Sequence, residues 1–171
     1  MASLMEEMLQ VLEGERIEYE QLLQISKDKT SVIIANDIQK LQEITDREQL
    51  IVARIQKLDK KSTEILQDMK NVLSFEGDDL TIAKLVAMLK KQPAEENKLA
   101  LAYDKLMTAA KNLKMVNEQN RMLVEQSLEM IEFDLNLYQS MNSAPKNANY
   151  DKNATNIDQA MISRGGFDAK Q

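Results

Sequence analysis

Histidine, cysteine and tryptophan are absent from all 171 residues, and no proline occurs before Pro93. Without histidine or cysteine there is no ordinary acid–base group near neutral pH, no thiolate nucleophile and no usual zinc ligand. A disulfide framework is excluded too, so the chain needs no oxidising compartment. Di-iron bundles built on Glu-x-x-His pairs are ruled out by the same absence. Neither a GxGxxG fingerprint nor a phosphate loop occurs, and Gly165-Gly166 stands alone near the end of the chain. No cofactor or metal is called for, and the chain does not read as an enzyme. Long apolar runs are also missing. The stretch Leu85–Leu89 is about a quarter of a membrane span. Acids follow Met1-Ala-Ser-Leu-Met where a signal peptide would carry Lys or Arg, which together predicts a cytoplasmic protein without stable membrane insertion.

Aromatics are scarce, with four Tyr and three Phe, so a core must come from Leu, Ile, Met, Val and Ala. Such a core favours helices lying side by side. The formal charge is -6, and residues 1–26 carry six Glu against the single Arg16. That balance repels a phosphate backbone and argues against nucleic acid as a partner. Acids near a helix start also suit the macrodipole as plain solvated surface.

What the chain does contain is apolar spacing of helical period. Met5, Leu9, Leu12, Tyr19 and Leu23 predict a first helix from about Ser3 to about Ser26, with Gly14 inside it as a close crossing or a weak point. The polar segment Lys27–Ser31 suggests a break, with Thr30 or Ser31 as cap, although no Gly or Pro enforces one. A second helix to about Ser74 carries Ile44, Ile51, Leu58, Ile65 and Val72 one heptad apart, with Ile55 and Met69 interleaved. Glu48 and Ser62 fall on core-type positions of that heptad, an imperfect seam.

At Phe75-Glu76-Gly77-Asp78-Asp79 the pattern stops. Gly77 is the expected terminator and Asp78 or Asp79 the expected cap of the next helix. Ile82, Leu85, Val86 and Leu89 define a short third helix. Pro93 suits the first position of a fourth, with Glu95 and Glu96 in its first turn and an end near Asn142. Leu99, Leu106 and Leu113 begin its stripe, Asn117 and Asn120 interrupt it, and Leu123, Val124, Leu128, Ile131, Leu135 and Tyr138 resume it.

The expected fold is therefore all-α: an elongated antiparallel helical bundle, a coiled-coil-like hairpin of three long helices plus one short helix, over residues 1–142. Residues 143–171 turn rich in Asn, Ala, Lys and Asp and read as a flexible tail. An amphipathic island of Ile157, Met161 and Ile162 interrupts that tail, flanked by Tyr150 and Phe167. Such an island can bury its apolar face on a partner.

Asn117 and Asn120 suit a polar register pair within the fold, or hydrogen bonds to a bound helix. Met107, Met115, Met122, Met130 and Met141 suit gap-filling core or an adaptable binding surface, and the regular stripe spacing favours core.

The order of these parts resembles the FlgN family of flagellar export chaperones. Ser31-Val-Ile-Ile-Ala-Asn-Asp-Ile-Gln-Lys-Leu, the Asn117, Asn120, Arg121 and Leu123 pattern, and the ending Ser163-Arg164-Gly165-Gly166-Phe167-Asp168 carry the likeness. The resemblance implies a chaperone that binds hook-associated proteins of the hook–filament junction. It would prevent their premature polymerisation and bring them to a component of the export gate. It places client and partner contacts at Leu123, Leu128, Ile131, Leu135, Tyr138, Tyr150, Ile157, Met161, Ile162 and Phe167. A different class of function is a self-associating coiled-coil adaptor, a possible homodimer whose seam is the heptad of the second helix. A membrane-surface amphipathic protein is disfavoured by the lack of Lys/Arg bias on the polar faces.

Overall fold

The computed structural model describes residues 2–143. Tyr150, Ile157, Met161, Ile162 and Phe167 lie outside them. Four α-helices are present: α1 (Ala2–Ile34), α2 (Ile38–Val72), α3 (Ile82–Met88) and α4 (Pro93–Ser143), with a 3-10 turn at Leu89–Lys91 before α4. Among the described residues there is no strand, and no helix is long and apolar enough to cross a membrane. The chain divides into two compact units, Met1–Asp134 and Leu135–Gln171. The described part of the second is the end of α4, where every residue is exposed.

Two expected boundaries move. Nothing breaks the backbone at Lys27–Ser31, and α1 runs on to Ile34. The Thr30 hydroxyl serves no cap but faces the Ser26 carbonyl at 3.2 Å. The turn falls instead at Ala35-Asn36-Asp37. Asn36 takes a left-handed conformation with φ 52°. Its N–H donates to Ile33 O and that of Asp37 to Val32 O, the double bond of a Schellman motif. Asn tolerates this conformation better than most side chains. The Asp37 carboxylate also accepts from Lys40 N at 3.0 Å, so one residue closes α1 and caps α2.

The end of α2 repeats the device with a different residue. Ser74, not Gly77, takes the left-handed conformation, with φ 48°. Ser74 N–H bonds Asn71 O and Phe75 N–H bonds Lys70 O. Gly77 serves by its lack of a side chain: a Cβ there would sit 2.6 Å from the Phe75 ring. The cap of α3 is Thr81, accepting from Lys84 N at 3.2 Å, rather than Asp78 or Asp79.

Helices α1 and α2 form an antiparallel hairpin. Ser62 meets Met8 near the start of α1, Arg54 bonds Glu18 midway, and Lys29 pairs with Glu48 toward the turn. Ile44, Ile51, Ser62, Ile65 and Met69 are the buried residues of α2. Leu58 lies against Gly14, whose added Cβ would touch the Leu58 methyls at 3.4 Å, so the glycine marks a close crossing. Val72, the last member of the expected heptad, is exposed. The α2 seam is thus filled by α1 of the same chain, which leaves no free α2 seam for a dimer.

One apolar cluster joins Met5, Met8 and Leu12 to Ile65, Met69, Leu80, Leu85, Leu89, Leu99 and Leu106. There α3 and the turn after it cover the base of the hairpin. Each fully buried Leu or Met in it contributes roughly 1.5–3 kcal/mol. A second cluster of Leu22, Ile25, Ile44, Ile51 and Leu113 lies further along. Between them Glu15 is buried on α1 with Oε1 unpartnered, in a groove shared with Tyr19 and Asp59. Loss of hydration, and then the nearby Asp59 charge, push its carboxyl up to about 7.

Two measurements follow from these features. A carboxyl whose pKa is raised by folding favours the folded state most while it is protonated. That contribution is full below about 4.5 and lost as pH rises through about 7. Urea denaturation should therefore show stability falling across this window, and Glu15→Gln should flatten the slope and gain most at pH 8. An unchanged slope in that variant would refute the assignment. Ser74→Gly should raise stability by about 1 kcal/mol, because the left-handed conformation costs an L-residue about that much. Thermal melting would detect the increase.

Candidate functional site

Helix α4 begins as expected, with Pro93 at its first position and Glu95 and Glu96 in its first turn. Leu99, Leu106 and Leu113 are buried one heptad apart, with Ala109 interleaved. One heptad further the stripe meets Asn120, which is 5% exposed. Its Nδ2 donates to the Ser26 carbonyl at 2.7 Å, and its Oδ1 accepts from the Thr30 hydroxyl at 2.6 Å. Ser26 also approaches Glu48 Oε1 at 3.4 Å, while Lys29 Nζ bonds Glu48 Oε2 at 2.7 Å. A polar layer from three helices thus crosses the core.

This layer fixes the direction and register of α4. Residues 104–112 share a cleft with Arg16, Glu20 and Leu23, and Asn120 lies against Ser26 and Thr30, so α4 runs parallel to α1. Counting on from the Ser26–Asn120 pair, Ile34 at the end of α1 falls beside Leu128. Burial follows that count. Leu123, Val124 and Ser127 are half-buried, and from Leu128 onward every described residue of α4 is exposed. Leu128 is 56% exposed and Ile131 47%, although they continue the spacing of the buried stripe. In the second unit, taken by itself, Leu135 and Tyr138 are likewise exposed.

Asn117 and Asn120 therefore separate. Asn120 is a buried register residue, whereas Asn117 is exposed on the rim of a cleft of about 530 Å³. Leu22, Lys29, Ile33, Glu48, Val52 and Val124 line the same cleft. Arg121 sits on its edge with Nη2 bonded to Glu118 at 2.6 Å and Nη1 to Glu125. The Glu118 carboxyl is held below its ordinary value, first by this hydrogen bond and then by the guanidinium charge.

The methionines also divide, against the expectation of core. Met5, Met8 and Met69 are buried, but Met107, Met115, Met122, Met130 and Met141 on α4 are all exposed. Regular spacing alone does not tell an inner face from an outer one. Sequence reasoning also missed the partners of Asn120. The available signal was Ser26 and Thr30, one turn apart on the face that carries Leu22 and Ile33.

A protein-family model described as "FlgN protein" matches residues 1–156. The chain is 29% identical over 137 residues to the uncharacterized protein YvyG of Bacillus subtilis (strain 168), an alignment covering 78% of each chain. No solved structure matches.

Removing the Asn120 amide would leave the Ser26 carbonyl and Thr30 hydroxyl without it in a largely buried layer. Asn120→Ala should cost about 1–3 kcal/mol in urea denaturation. Its effect should be non-additive with Thr30→Val, with a coupling of about 0.5 kcal/mol or more. Simple additivity would show that the two side chains do not act together.

Proposed function

The chain belongs to the FlgN family, and from that premise we propose that it is a flagellar export chaperone for hook-associated proteins. It holds a terminal helix of a client, keeps that client from polymerising before export, and presents it to a component of the export gate in the cytoplasm. One observation supports this reading above the others: the core-facing stripe of α4 runs past the end of α1 and leaves Leu128 and Ile131 uncovered. Filament and junction subunits awaiting export carry apolar helices meant for their neighbours. A helix laid along such a stripe is helix-in-groove recognition, with anchors at i, i+3 and i+4.

Leu123, Leu128 and Ile131 are the proposed client contacts of the first unit. Leu135 and Tyr138 are proposed in their own right in the second. Tyr150, Ile157, Met161, Ile162 and Phe167 are assigned to client or gate binding through the family likeness. A client helix burying about 600 Å² of apolar surface gains roughly 15 kcal/mol gross. Most of that is offset by lost freedom of the two partners, leaving an affinity compatible with release. Holding of this kind needs no nucleotide.

Replacing Leu128 and Ile131 together by Asp should weaken capture of a hook-associated protein by about 100-fold or more, as expected for central apolar anchors. Because both residues are exposed, circular dichroism should keep its helical amplitude. Co-purification with the client at the wild-type level would refute the reading.

A further inference from the structure

The side of α4 turned away from the hairpin carries its own apolar surface. Met115 and Met122 are 63% and 52% exposed and line a groove of about 700 Å³ with Lys111, Lys114, Glu118 and Gln126. By helical spacing Met130 and Phe133 extend the same side, and both are more than 60% exposed. Charges along one flank of this surface are ordered. Lys111 and Lys114 lie toward its start, Glu129 and Glu132 toward its end. None of these four joins an ion pair among the described residues, whereas Arg121 in the middle is engaged by Glu118 and Glu125 of its own helix.

We infer that this face of α4 pairs antiparallel with the same face of α4 in a second copy of the chain, with Met122 at the two-fold axis. The charge order selects that partner. Antiparallel pairing about Met122 sets Lys111 opposite Glu132 and Lys114 opposite Glu129, twice by symmetry, and Met115 opposite Met130; it also brings Glu118 opposite Glu125, each of them held by Arg121 of its own helix. Parallel pairing would instead turn this flank toward the opposite flank of the partner, which leaves the four charges without these matches. An isologous contact of this kind uses one patch on both copies. Opposite charges on matching flanks select orientation as they do in coiled coils. The stretch from Lys111 to Phe133 covers about 35 Å of helix, so the interface is small and a micromolar dimer is expected.

Sedimentation equilibrium of the full chain at low salt tests this directly. A concentration-dependent dimer is expected, and a monomer up to on the order of 100 µM would overturn the inference. Lys111→Glu/Lys114→Glu and Glu129→Lys/Glu132→Lys should each be monomeric, while an equimolar mixture of the two should form a heterodimer. Dimers surviving in both separate variants would place the interface elsewhere and overturn it. Because the chain has no cysteine, orientation is read by cross-linking. Met122→Cys should oxidise to a disulfide-linked dimer. Met115→Cys should do so only when mixed with Met130→Cys, and self-linking of Met115→Cys as efficient as that of Met122→Cys would signal parallel pairing. Leu128→Asp/Ile131→Asp should leave the dimer intact, which separates this interface from client holding.

Discussion

The carboxamide of Asn120 does for this chain what its leucines cannot. Apolar stripes repeating every seven residues pack nearly as well after a slip of one heptad, since Leu99, Leu106 and Leu113 are interchangeable in kind. A buried amide is not interchangeable. It demands an acceptor for its N–H and a donor for its oxygen, and only Ser26 and Thr30 supply both. A mis-set α4 would bury that amide without partners at a cost of several kcal/mol. The polar layer therefore decides where along α1 the fourth helix sits, and hence which of its leucines and isoleucines remain without a neighbour.

From that register the division of labour on α4 follows. Up to Leu113 its inner side completes the core, and from Leu128 the same side is left open. Its outer side carries methionines whose flexible thioethers suit contact with surfaces of varied shape. Between the two faces lie polar residues such as Arg121, locked to neighbours on its own helix. A single helix is thus a core element over one part of its length and an exposed apolar surface over another.

Much of this was legible in the residue pattern. The heptad of α2 from Ile44 to Ile65, the run of Leu99, Leu106 and Leu113, and proline at the first position of α4 each express a local rule that the tertiary structure leaves intact. The misreadings have physical causes. Lys27–Ser31 is polar because it flanks a buried network, not because it turns. The true turn is written in Asn36 and Asp37, an αL-tolerant residue followed by a cap, where no glycine marks the stop. At the end of α2 Gly77 reads as the terminator, but its role is room for the Phe75 ring. The outward methionines were unreadable because periodicity gives a face but not its direction. Similarly, the Lys29–Glu48 pair joins residues 19 apart in sequence, a distance at which spacing rules say nothing.

The two ends of the hairpin are sealed unequally. At the base, α3 and its following turn add Leu80, Leu85 and Leu89 to the methionines of α1 and α2. At the tip no such cover exists among the described residues, and Ile34 and Ile38 lie exposed beside Asn36. Amide protons should accordingly exchange with solvent in a gradient, fastest around the turn and slowest beside Leu85 and Leu99. Fraying of that kind begins in the stretch of α1 that borders Leu128. The α1 edge beside Leu128 can thus open and close locally while the base stays shut.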